Sequence, residues 1–101
     1  MSSRDGGTPG SWTFFTNHAH VIFALASDPE ARLRDIAERV QITERATQRI
    51  VHELEEAGYL RIVKQGRRNR YGIQAGKRLR HPIERHRKLQ DLIEVLEIGR
   101  S

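Results

Sequence analysis

The chain has no cysteine among its 101 residues. That excludes a disulfide framework and any thiolate-held metal site, and it fits a reducing cytoplasm. It also lacks any apolar run near the roughly 20 residues that a membrane-spanning helix needs. No secretory signal pattern is expected, because Thr16, Asn17 and His18 interrupt the first apolar stretch. Aromatics are few, with 3 Phe, 2 Tyr and 1 Trp, and four of them (Trp12, Phe14, Phe15 and Phe23) fall close together. There is no Gly-rich phosphate loop, no nucleophile elbow and no paired acid and base, so no enzyme is expected. Glu53, Glu55 and Glu56 cluster only at a helix end. The histidines do not supply what the cysteines lack. His18 and His20 are two apart, and His81 and His86 straddle a proline. Neither spacing makes a zinc site without a third close ligand, so no metal or cofactor is expected.

Acidic residues are outnumbered as well. Against 13 Asp and Glu stand 18 Lys and Arg, giving a net charge of +5 and a pI near 10.4. Excess positive charge favours an anionic partner, nucleic acid or a membrane surface. Distribution separates the two. Eleven of the basic residues lie between Arg61 and Lys88, where Glu84 is the sole acid, which is the footprint of a nucleic-acid-binding face. A chain of this size forms one domain and buries roughly two-thirds of its unfolded surface, enough for one modest core.

The organising stretch is LRDIAERVQITERATQRIVHELEEAGYL, residues 33–60. Ile36, Ala37 and Val40 share one face of a first short helix, Arg34 to Val40. Gln41-Ile42 breaks it. Thr43 is placed to cap the next helix, and Glu44 adds favourable negative charge to its first turn. That second helix runs to about Ala57, burying Ala46, Ile50, Leu54 and Ala57, and Gly58 ends it. Its other face carries Arg45, Thr47, Gln48, Arg49 and His52, donor-rich side chains of the kind that reach base edges and phosphates. This predicts a helix-turn-helix whose second helix occupies the major groove. The plain alternative is a helical hairpin with a solvated polar face.

Tyr59 to Lys64 is rich in β-formers, and a weaker strand covers Arg70 to Gln74. Between them lies the glycine-containing turn Gln65 to Asn69, so the pair reads as a hairpin. Lys64, Arg67, Arg68, Asn69 and Arg70 sit at its tip and approach, where they can neutralise phosphates or enter the minor groove. A helix-turn-helix followed at once by a basic hairpin is a winged helix.

Through LRDIAERVQITERATQRIVHELEEAGYL and GRRNRY, the chain resembles the small winged helix-turn-helix transcriptional regulators of the MarR and ArsR kinds, over about residues 17 to 75. The resemblance implies a homodimer that binds a palindromic operator. Two departures stand out. Gln41 occupies a turn position where such motifs often carry Gly, and the chain is shorter than a typical MarR protein.

The remaining segments fill in the architecture. Residues 1–11 are Gly/Ser/Pro-rich and read as a disordered arm. A helix follows, capped by Thr16 or Asn17 and running to Ala26, apolar nearly all round. Such a helix needs cover on more than one side. Ala31 to Leu33 is expected to form a short strand beside the wing. Ala75 to Pro82 is a basic linker that either touches phosphates or is simply solvated. Pro82 opens a terminal helix, Ile83 to Ile98, with an apolar stripe. Phe15, Ile22, Phe23, Leu89, Leu92, Ile93 and Leu96 are the expected homodimer interface. The whole is mainly α with a small hairpin, in the order α-β-α-α-β-β-α. Residues 12–76 make the winged helix-turn-helix domain, and 77–98 the linker and dimerisation helix. The reading is a cytoplasmic, duplex-DNA-binding homodimer. Nothing in the sequence identifies a small-molecule effector. The rival readings are a winged helix that binds only protein, and double-stranded RNA binding, which the narrow RNA major groove disfavours.

Overall fold

A computed structural model describes residues 12–98; the expected arm at 1–11 lies outside them. Helix α1 spans Asn17–Ser27, with Val21, Ile22, Ala24 and Leu25 buried. Thr16 occupies its N-cap position but makes no side-chain capping bond. Helix α2 is Leu33–Val40 and turns Ile36 and Ala37 inward. Its alternating salt-like sequence leaves the other face solvated.

Between α2 and α3 the chain reverses at Gln41, which takes a left-handed conformation with φ 69° and ψ 45°. Its N–H and that of Ile42 both donate to the Ala37 carbonyl. This is how the turn closes without glycine. Helix α3, Glu44–Glu56, starts as its sequence dictates: Thr43 Oγ1 accepts from Ala46 N–H at 3.0 Å. At its other end Tyr59 N–H reaches back to the Leu54 carbonyl, and Gly58 stands at φ 88°. That is the left-handed glycine termination expected there.

Strands β1 (Leu60–Gln65) and β2 (Arg68–Ile73) form an antiparallel pair from Leu60↔Ile73 to Gln65↔Arg68. The strands are longer than their β-propensity suggests, so the turn shrinks to Gly66-Arg67. Gly66 at φ 63° supplies the positive angle that a two-residue turn requires at its first central position. Leu60 and Tyr71 are buried and Ile62 and Ile73 half-buried, anchoring the base of the hairpin in the core.

Helix α4, Leu89–Ile98, packs on α1 through Leu89 and Ile93. The core is therefore one cluster fed by all four helices and the hairpin base. Two sequence expectations are corrected here. No strand forms at 31–33, because Leu33 already begins α2; the neighbouring carbonyl of Pro29 instead accepts a lone backbone bond from Tyr71. The terminal helix does not begin at Pro82. Residues 77–88 close into a loop by Leu79 N–H to Arg87 O and Leu89 N–H to Lys77 O, each 2.9 Å. The Arg78 guanidinium reaches the Arg85 and His86 carbonyls inside that loop, and Asp91 caps the Lys88 N–H at 3.0 Å.

Candidate nucleic-acid interface

The exposed face of α3 changes character along its length. In the first turns Arg45 and Gln48 point to solvent and make no side-chain hydrogen bond or ion pair among the described residues. Further on, Glu53 gathers two nitrogen-bearing neighbours. His18 Nε2 lies 2.7 Å from its Oε1, and Arg49 Nη1 lies 3.3 Å from the same atom. The hydrogen bond from His18 is the largest influence holding the Glu53 carboxyl below its ordinary value of 4.5; desolvation, next in size, opposes it, and the charge of Arg49 adds to the lowering. His52 lies 3.3 Å from Glu56. Arg49 and His52 are thus exposed but already associated with carboxylates.

Thr47 is a correction. The sequence pattern puts it with the outward side chains, yet it is 0% exposed. Its hydroxyl donates to the Thr43 carbonyl at 2.9 Å. The buried stripe of α3 is Thr47, Ile50, Val51 and Leu54, with Ala46 and Ala57 only half-buried. The stripe is rotated from the expected one because the small alanines sit at its margin. Thr47 has no solvent-facing surface with which to meet a phosphate. Thr43 remains exposed, its oxygen engaged in the cap.

In the wing, Lys64, Arg67, Arg68 and Arg70 are exposed and Asn69 is half-buried. The strand register puts Arg68 and Arg70 on one face and Asn69 with Tyr71 on the other. Arg70 Nη1 pairs with Glu30 Oε2 at 2.9 Å, and Arg68 donates to the Glu30 carbonyl. Lys64 and Arg67 make no such contact among the described residues. A shallow cleft at the wing is lined by Arg67, Arg68, Asn69 and Tyr71 on one side and Ala31, Arg32 and Leu33 on the other. Arg32 and Glu30 are site residues that the sequence reading missed. Neither carries a local signal, because Glu30 meets the wing only across 40 residues of chain.

The expected dimer residues divide. Ile22, Leu89 and Ile93 are 2%, 5% and 7% exposed within the one chain. They are consumed by the intrachain core, so their placement at an interface is corrected. Phe15 and Phe23 are half-buried and stacked edge to face at 5.6 Å. Leu92 is half-buried, while Val95 and Leu96 are exposed on α4. No cluster of three potential metal ligands occurs among the described residues, and no described helix is long and apolar enough to cross a membrane.

Two short packed helices, a capped second helix and an arginine-tipped hairpin define a winged helix-turn-helix. The chain belongs to the MarR family, whose model matches residues 15–70. MarR-family proteins are transcription regulators. The structure is similar to the PcaV transcriptional regulator of Streptomyces coelicolor, solved in complex with its natural ligand. The TM-score is 0.53 at 25% sequence identity, over 59% of this chain and 45% of that one. The chain thus spans less than half the length of that neighbour. No curated protein sequence matches.

Proposed function

We propose that the chain binds duplex DNA as a sequence-specific transcriptional regulator, acting as a homodimer on a near-palindromic operator. Helix α3 enters the major groove by its first turns. Arg45, Gln48 and Arg49 meet base edges, and Thr43 and His52 lie toward phosphates. Lys64 and the wing arginines hold the flanking backbone or minor groove. The observation that carries this reading is the exposed Arg45–Gln48 face directly after the Thr43 cap, followed in the chain by an arginine-tipped wing. Membership of a family of transcription regulators supports it. Two symmetric recognition helices call for half-sites about one helical turn apart.

The homodimer rests on apolar surface that one chain leaves uncovered. Trp12 and Phe14, 70% and 88% exposed, stack edge to face at 4.9 Å, and Ile83 and Val95, 76% and 62% exposed, line one open groove with Leu92; contiguous exposed apolar surface marks association sites.

Selection of bound fragments from a random duplex pool, followed by sequencing, tests DNA binding, symmetry and spacing together. The expected result is an enriched motif with two inverted halves. A pool that stays unenriched at low salt defeats the DNA reading, and an enriched motif without symmetry defeats the dimeric one. Sedimentation supplies a separate check. A mass that stays monomeric at all concentrations removes the homodimer.

A further inference from the structure

The wing arginines are not equivalent. Arg70 and Arg68 are both held by Glu30, one by its carboxylate and the other by its carbonyl oxygen. One residue earlier the Pro29 carbonyl accepts from Tyr71 N–H at 3.0 Å. Three bonds therefore run from a two-residue segment to Arg68, Arg70 and Tyr71 of β2. Arg67, at the second position of the turn, is exposed and has no hydrogen bond or ion pair among the described residues.

The burial pattern shows why such a tether matters. Leu60 is buried and Ile62 half-buried, but Val63, Lys64 and Gln65 are exposed. Opposite them stand Arg70, Asn69 and Arg68. The inner half of the hairpin is fixed by the core, while its outer half buries no apolar side chain. An isolated two-stranded hairpin is marginally stable in water, so the pose of the outer half depends on what grips it from outside.

We infer that Glu30 is the positioning residue of the wing: it moors Arg70 and Arg68 beside the start of α2 and leaves Arg67 as the guanidinium that contacts DNA. This rests on the reading that the wing touches DNA and narrows it: of the three wing arginines, two shape and one binds. The sign of one substitution separates mooring from plain electrostatics. A surface carboxylate beside a DNA-binding face repels phosphate, so removing it by charge alone tightens binding. Removing a mooring loosens it.

The test measures binding of the full chain to its selected duplex across a salt series. Glu30→Ala and Arg70→Gln are each expected to weaken binding about three- to tenfold while leaving the salt slope within experimental scatter. The double variant should be no weaker than either single one, and the swap Glu30→Arg with Arg70→Glu should recover most of the loss. Arg67→Gln should weaken binding, lower the slope by about 0.9 as one lost phosphate contact does, and add to Glu30→Ala. If Glu30→Ala binds as tightly as the parent or tighter, or if Arg70→Gln lowers the slope as Arg67→Gln does, the mooring is wrong. Amide hydrogen exchange of the free chain decides the point without DNA. Glu30→Ala should speed exchange from Val63 to Arg70 and leave α1 unchanged, and unaltered wing exchange overturns the proposal. A parent chain that binds no duplex at low salt would defeat the DNA reading alone, since the exchange result would still stand.

Discussion

Replacing Gln41 by glycine should stabilise the protein. Gln41 is the sole non-glycine residue with positive φ among the described residues, at φ 69°. For a residue with a β-carbon that left-handed conformation costs about 1–2 kcal/mol. Glycine escapes the clash but loses more freedom on folding, which takes back about 0.4–1 kcal/mol. The side chain of Gln41 is exposed and makes no hydrogen bond among the described residues, so nothing else is lost. The two N–H bonds onto the Ala37 carbonyl come from the backbone and survive the change. The net gain is about 0.5–1 kcal/mol. With a urea slope of about 1–3 kcal/mol per molar for a small protein, the unfolding midpoint should rise by about 0.5 M. Gln41→Ala is the control. It keeps the β-carbon and so should stay within about 0.5 kcal/mol of the parent, as surface substitutions usually do. A glycine variant no more stable than the alanine one would show that the turn stores no strain, and the argument from its backbone angle would fail.

Three further outcomes follow from the same contacts. Thr43→Ala removes the acceptor of the Ala46 N–H at the start of α3 and should cost about 1 kcal/mol in chemical denaturation; a change below the scatter would mean water caps the helix equally well. Thr47→Val removes a hydroxyl whose partner, the Thr43 carbonyl, also accepts from the Thr47 N–H. Its stability should therefore change by less than about 1 kcal/mol, and duplex binding in a gel shift should match the parent; a loss of binding without a loss of stability would return Thr47 to the interface. Glu53, its carboxyl held below 4.5 chiefly by His18, contributes stability that is complete above that pH and fades as pH falls through its lowered value. Glu53→Gln should accordingly flatten the fall of the thermal midpoint below pH 4.5, and a parallel curve for both proteins would remove the His18 contact from the account.

The parts legible in the sequence were those governed by neighbours a few residues away. Thr43 announced a cap because its oxygen needs only the N–H three residues on. Gly58 announced a helix end because glycine tolerates positive φ. The hairpin could be read from β-formers around Gly66. What escaped depended on distant partners. Thr47 is polar, and only the packing of α1, α2 and β1 around α3 decides that it lies inside. The terminal helix looked continuous from Pro82, but Arg78 and Asp91 close the 77–88 loop first. Glu30 lies 40 residues from the arginine it pairs with, and no local pattern joins them. Ile22, Leu89 and Ile93 looked like spare apolar surface because a helix that is apolar all round does not say whether its own chain or another covers it.

Charge along α3 ranks the residues proposed to read DNA. Three carboxylates, Glu53, Glu55 and Glu56, crowd its last turn, where the helix dipole is already negative. That end repels phosphate, so only the Thr43 end can approach a duplex closely. Arg45 stands eight residues before Glu53, the nearest of the three, about 12 Å along the axis. This exceeds the ionic screening length of about 10 Å at 0.1 M salt. Its charge is therefore screened from that cluster, and Glu44 is the one acid beside it on the first turn. Arg49 is different, with a carboxylate oxygen 3.3 Å away. To meet a base it must give up an exposed ion pair worth about 0–1 kcal/mol. A good bidentate contact to a base is worth about 1–3 kcal/mol of discrimination. The exchange is favourable for the matching base and close to neutral for a poor one. On the proposed DNA-binding reading, Arg45 is therefore expected to supply attraction to any duplex, and Arg49, restrained by Glu53 until a base displaces it, to contribute more to sequence preference than to affinity.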